Sequence, residues 1–122
     1  MNAPAILFRV GALLAAVSVA AGAFGAHALA ERLSPERLET WRTASHYLMV
    51  HSVAIAALAA AARSSAQPMW CLWLLVAGCI VFSGSLYALC LTDVRILGAI
   101  TPIGGLAFIA GWIALALTWR WH

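Results

Sequence analysis

The chain contains no lysine and little charge of any kind: seven arginines and four acids among 122 residues, 9% charged in all. A water-soluble domain carries about a quarter charged residues. With 65% of positions hydrophobic, the polar surface needed to face water does not exist. The arginines are scattered rather than gathered on one stripe, which argues against nucleic acid as a partner. No Gly-rich phosphate loop, nucleophile elbow or zinc-ligand spacing occurs. No acid lies inside an apolar run, because Glu31, Glu36, Glu39 and Asp93 all fall between runs. Hydrolysis and ion-coupled pumping therefore lack machinery, and the chain reads as a non-enzyme.

Cysteine is present but never as Cys-x-x-Cys. Cys71, Cys79 and Cys90 share one apolar stretch. An odd count on one helix is no disulfide framework, and the three read as small packing residues.

What is there is long apolar runs. Four of them, near 6–29, 43–62, 69–91 and 96–119, are each long enough to cross about 30 Å of hydrocarbon at 1.5 Å per residue. The first has Arg9 near its head and ends near Ala26-His27-Ala28, which resembles a cleavage site, yet it is too long for a signal-peptide core and is read as a retained helix. Short connections make consecutive helices antiparallel neighbours. The expected architecture is all-α: an integral-membrane four-helix bundle, one transmembrane domain over 1–122. Ser34-Pro35-Glu36 reads as an N-cap, a proline at the first helical position and an acid in the first turn, so the second helix should start at Pro35. Its opening turns carry Leu38, Trp41, Ser45 and Leu48 at helical spacing, against the bundle or the headgroups.

Lipid is as apolar as leucine, so helices in a membrane associate by close approach rather than by hydrophobicity. Two stripes of small residues provide for it. Gly11, Ala15, Ser18, Gly22 and Gly25 recur along the first run. Gly104, Ala107, Gly111, Ala114 and Thr118 recur along the fourth. Both are expected to be buried seams with partners about 8 Å away or closer, and one of them could instead serve an oligomer contact.

Polar residues are distributed unevenly in depth. His27, His46, Tyr47, His51, Ser83, Ser85, Tyr87 and Thr101 all lie toward the side of the first and third connections, and the opposite leaflet is almost purely apolar. Tyr47 and His51 are four apart and share a helix face. His46 and His51 are about 140° apart and cannot bind one metal together. Pro102 leaves carbonyls near residue 98 without a donor, for which Tyr87, Ser83 or His51 are candidate partners. A bis-histidine haem site between His27 and His51 is disfavoured, since no haem-attachment motif occurs and His27 is the shallower of the two. No cofactor or metal is expected, and neither His46 nor His122 argues for a site. The candidate polar layer is His27, Tyr47, His51, Ser83, Ser85, Tyr87 and Thr101, read either as hydrogen-bonded packing or as the lining of a small-molecule, proton or lipid site.

Orientation rests on a near tie. Arg9, Arg63 and Arg120 lie on the side of the termini, and Arg32, Arg37, Arg42 and Arg95 on the other. The expectation is both termini in the cytoplasm, with Trp70, Trp73, Trp119 and Trp121 forming a belt on that side.

Four segments, "GAFGAHAL" (22–29), "HYLMVHSVAI" (46–55), "FSGSLYAL" (82–89) and "LGAITPIGGLAFIAGW" (97–112), resemble domain-of-unknown-function family 423. The resemblance implies a small four-helix protein of the bacterial inner membrane. Its motif positions here are Gly22, Gly25, His27, Tyr47, His51, Ser83, Gly84, Ser85, Tyr87, Thr101, Pro102, Gly104 and Gly105. It implies no reaction, substrate or cofactor. The expected role is a structural or accessory membrane component, in contact with the bilayer and with another membrane protein or a second copy of itself.

Overall fold

A computed structural model describes residues 1–121; His122 lies outside them. Four helices account for nearly all of the chain: α1 (Ala3–Leu29), α2 (Pro35–Ser64), α3 (Trp70–Thr92) and α4 (Ile96–Thr118), each long and apolar enough to cross a membrane. There is no strand among the described residues.

The ends are set by local chemistry. Asn2 caps α1, its side-chain oxygen accepting the Ala5 N–H at 3.0 Å. Ser34 caps α2, its hydroxyl oxygen accepting the Arg37 N–H at 3.1 Å, with Pro35 in the first position, as the Ser-Pro-Glu signature predicts. α3 stops where Asp93 turns left-handed, φ 57°, with its N–H donating to the Leu89 carbonyl at 2.8 Å. An aspartate tolerates that region better than most residues. Here its carboxylate also accepts from the Arg37 guanidinium at 2.7 Å. This pair ties the third connection to the start of α2. At the other end Gln67, in the loop after α2, donates to the Arg120 carbonyl at 2.7 Å and accepts the Arg120 N–H at 2.9 Å.

The four helices are not equivalent. Within their apolar windows, 39% of α2 and 44% of α3 is buried, against 17% of α1 and 22% of α4. α2 and α3 form the inner pair, with α1 packed on α2 and α4 on α3, and no backbone approach within 8 Å joins α1 to α4. The main core of Leu7, Leu48, Ile55, Leu72, Leu75 and Phe108 runs between all four.

Both small-residue stripes lie on these outer contacts. A Cβ on Gly11 would sit 2.7 Å from the Ala56 nitrogen and 2.8 Å from the Ser52 oxygen, so α1 rides directly on the α2 backbone there. Ser18 is buried on the same contact, while Ala15, Gly22 and Gly25 are half-buried. Gly22 faces Ser45 and Gly25 faces the Trp41 ring. On α4, Gly104 meets the α3 backbone at Phe82, and Gly111 meets the Leu75 side chain and the Cys71 carbonyl. Gly104 and Gly111 are buried; Ala107 and Ala114 are half-buried.

Two helices carry a wider π-type turn, at Ala20–Gly25 in α1 and Cys79–Ser83 in α3. Such turns redirect the hydrogen-bond ladder and re-aim side chains. Each falls on a seam: Gly22 and Gly25 lie in the first, and Phe82, the residue beneath Gly104, lies in the second.

Adding a methyl where the neighbour is backbone forces the helices apart, which costs about 1–3 kcal/mol. Gly11→Ala and Gly104→Ala are each expected to lower the thermal unfolding temperature in detergent. Gly84→Ala, whose Cβ would meet nothing within 4 Å, is expected to leave it unchanged or slightly raised.

Candidate functional site: the polar layer

His51 is buried at 6% exposure on α2, at the centre of an aromatic junction. Its Nδ1 lies 2.7 Å from the Tyr47 carbonyl one turn back. Its Nε2 accepts the indole N–H of Trp112, from α4, at 3.0 Å. A carbonyl requires a donor and an N–H requires an acceptor, so the two partners together select the neutral ring with its proton on Nδ1. Phe108, one turn before Trp112, stacks on the imidazole with ring centroids 3.7 Å apart and planes 16° apart. Phe108 can occupy that place because Gly78 of α3 has no side chain, and any Cβ there would run into its ring. Tyr47 lies beside both rings, its centroid 6.1 Å from the imidazole and 6.3 Å from Phe108, and packs on Phe82 with centroids 4.7 Å apart. Two helices thus meet at one imidazole, and α3 bounds the junction through Gly78 and Phe82.

The hydroxyls stitch the remaining interfaces. Ser83 of α3 donates to the Ala44 carbonyl of α2 at 2.8 Å. Ser45 of α2 and the Tyr87 hydroxyl of α3 are 2.7 Å apart, and Tyr87 packs on Trp41 with centroids 4.5 Å apart. Ser85 of α3 and Thr101 of α4 are 2.6 Å apart, with the Leu97 carbonyl 3.1 Å from the threonine hydroxyl. The Trp41 indole donates to the Ala21 carbonyl of α1 at 2.7 Å, inside the first π turn. The cysteines are buried free thiols. Cys90 donates to the Arg37 carbonyl at 3.2 Å, and Cys71 lies 3.4 Å from the Thr118 hydroxyl. Among the described residues no buried side-chain nitrogen or oxygen lacks a partner.

Of the seven candidate residues, His51, Ser83, Ser85, Tyr87 and Thr101 enter this network. Tyr47 joins through its ring and its carbonyl, and is 41% exposed. His27 stays apart, exposed on α1 and outside these hydrogen bonds. Depth grouped it with the others, but azimuth separates it. It follows Gly25 by two residues, roughly 200° around the helix from a position that faces α2. His46 is likewise exposed. Tyr87, Ser83 and His51, the candidate partners for the carbonyls freed by Pro102, are all engaged elsewhere.

Sequence reasoning passed over Trp112, Phe108, Gly78 and Ser45 as members of the layer. The spacing of Trp41, Ser45 and Leu48 placed that face of α2 inward, and was the one signal pointing to Ser45. Nothing in the spacing singles out Trp112, which lies 61 positions after the nitrogen it reaches.

No histidine, cysteine or acid cluster able to hold a metal ion occurs among the described residues. The arrangement can hold helices together in a medium without water; it presents no nucleophile beside a base and no paired acids.

The fold and this layer define a multi-pass, four-helix membrane protein with an internal hydrogen-bonded seam. The family described as protein of unknown function, DUF423, matches residues 21–105, and the chain belongs to it. A UPF0382 membrane protein of Staphylococcus haemolyticus is 47% identical over 110 residues, covering 89% of this chain and 90% of its own. The UPF0382 membrane protein YwdK of Bacillus subtilis is 41% identical over 115 residues, covering 92% and 94%. No solved structure matches the chain.

Interhelical hydrogen bonds in membranes contribute about 0.6 kcal/mol on average and at most about 1.7. A double-mutant cycle on Ser45→Ala and Tyr87→Phe is expected to show coupling in that range when unfolding is followed in detergent. Zero coupling would mean that the 2.7 Å contact contributes nothing to stability.

Proposed function

We propose that the protein is a non-enzymatic structural or accessory component of the bacterial inner membrane, a sealed bundle that supports or assembles with another membrane protein or a second copy of itself. The supporting observation is the satisfied polar layer: hydroxyls, indoles and the imidazole are bonded from helix to helix, with no unpartnered buried side-chain nitrogen or oxygen among the described residues. A proton or solute path needs groups that can exchange partners with water. His51 instead has a carbonyl at one nitrogen and an indole at the other. Two lightly buried helices, α1 and α4, leave broad apolar faces for lipid or for a protein neighbour.

The termini belong on the cytoplasmic side in this reading. All four acids lie on the loop side with four arginines, whereas Arg9, Arg63 and Arg120 on the terminal side are accompanied by none. An unbalanced positive end is favoured at the negative face of the membrane, by about 2.3 kcal/mol per charge per 100 mV where the charge would otherwise cross.

In proteoliposomes under an imposed potential, the wild-type protein is expected to show no proton flux above empty vesicles, and His51→Leu is expected to lower the amount accumulating in cells. Flux that disappears with His51→Leu, in a variant that accumulates normally, would overturn the sealed reading. A partner-free, monodisperse monomer in mild detergent would count against the accessory role. A C-terminal alkaline phosphatase fusion is expected to be inactive and a fluorescent-protein fusion bright; the reverse pattern would place the termini outside.

A further inference from the structure

On the terminal side, the first turns of α1 and the last turns of α2 bound an open groove of about 570 Å³, lined by Pro4, Phe8, Arg9, Ala60 and Arg63 among others. That volume lies within the ordinary range of small-ligand sites. The polar layer does not extend to it.

Of the four loop-side arginines, Arg37 and Arg42 have acid partners, whereas Arg32 and Arg95, like Arg9 and Arg63, have none within salt-bridge distance among the described residues. Arg37 is paired with Asp93 at 2.7 Å, and Arg42 lies 3.9 Å from Glu39. Arg9 and Arg63 are both exposed. They come from different helices yet line one groove. Its level is marked by Trp70 and Trp73, exposed at 54% and 42% on the same side, as aromatic residues are at the headgroup boundary. Arg9 lies about 9 Å along α1 from its first residue, within reach of that boundary for a long side chain lying over apolar surface. Besides the arginines the lining is Pro4, Ala5 and Phe8 of α1 and, one turn deeper than Arg63, Ala59 and Ala60 of α2.

We infer that this groove seats an anionic phospholipid, its phosphate held between Arg9 and Arg63 and its acyl chain laid along Phe8 and Ala60. Guanidinium forks match phosphate oxygens in geometry and charge. The apolar floor suits a chain rather than a free ion. The seat goes beyond the sealed-bundle reading and stands whether or not that reading holds.

The test uses the full chain in phosphatidylcholine vesicles with trace spin-labelled phosphatidylglycerol or phosphatidylcholine, reading the motionally restricted fraction. The expected result is a preference for phosphatidylglycerol of about fivefold or more. Arg9→Gln with Arg63→Gln should abolish it, and so should Ala60→Trp, which fills the groove and keeps both charges. Arg42→Gln on the loop side should leave it intact. Because Arg9, Ala60 and Arg63 are all exposed, the variants should unfold at the wild-type temperature. Equal binding of the two lipids would overturn the inference, as would a preference surviving the arginine substitutions. Survival in Ala60→Trp would reduce it to diffuse surface charge. Loss on adding inorganic phosphate at constant ionic strength would assign the site to a free anion instead.

Discussion

In a bilayer there is no water to expel from between two helices, so association depends on how near their backbones come. The outer helices of this bundle are seated where a glycine lets them lie on a neighbour's main chain, Gly11 on α2 at Ser52 and Ala56, and Gly104 on α3 at Phe82. Short side chains elsewhere depend on that approach. Ser85 and Thr101 are both short, and their hydroxyls are 2.6 Å apart only because α4 lies against α3. Where the helices are farther apart, as α2 and α4 are, long aromatic side chains make the connection, and His51 is joined by Phe108 and Trp112.

The second constraint is that a buried polar group in hydrocarbon must find a partner within the protein. Nearly every such group here finds it on another helix. Ser83 uses the Ala44 carbonyl and Trp41 uses the Ala21 carbonyl, both already part of helical backbones. The π turn in α1 places the Ala21 carbonyl on the face that meets Trp41, so a local irregularity of one helix becomes an anchor for the next. The result is a layer with specificity of register, since sliding α3 along α2 by one turn would part Ser83 from Ala44 and Tyr87 from Ser45 together.

Much of this was legible in the residues. Run length and lack of charge implied four membrane helices, Ser34-Pro35-Glu36 marked the start of α2, and the small-residue stripes ran along the faces that meet α2 and α3. The candidate layer was legible in depth but not around the helices. Counting residues from a membrane boundary places His27 in the same leaflet as Ser83 and Tyr87, yet its azimuth turns it outward. The π turns left no signal in composition. "AAGAFG" and "CIVFS" would continue as ordinary α-helix if nothing packed on them.

The sequence by itself determined the solvent this protein lives in, the number of helices and the places where backbones could touch. Those follow from hydropathy, length and side-chain size, which are properties of single residues or of one helix. Only the tertiary structure decided which polar groups meet. The pairing of His51 with Trp112, the room that Gly78 leaves for Phe108, and the placing of Arg9 beside Arg63 each need the relative rotation of two or three helices. That rotation is settled by packing between helices, and no single segment contains it.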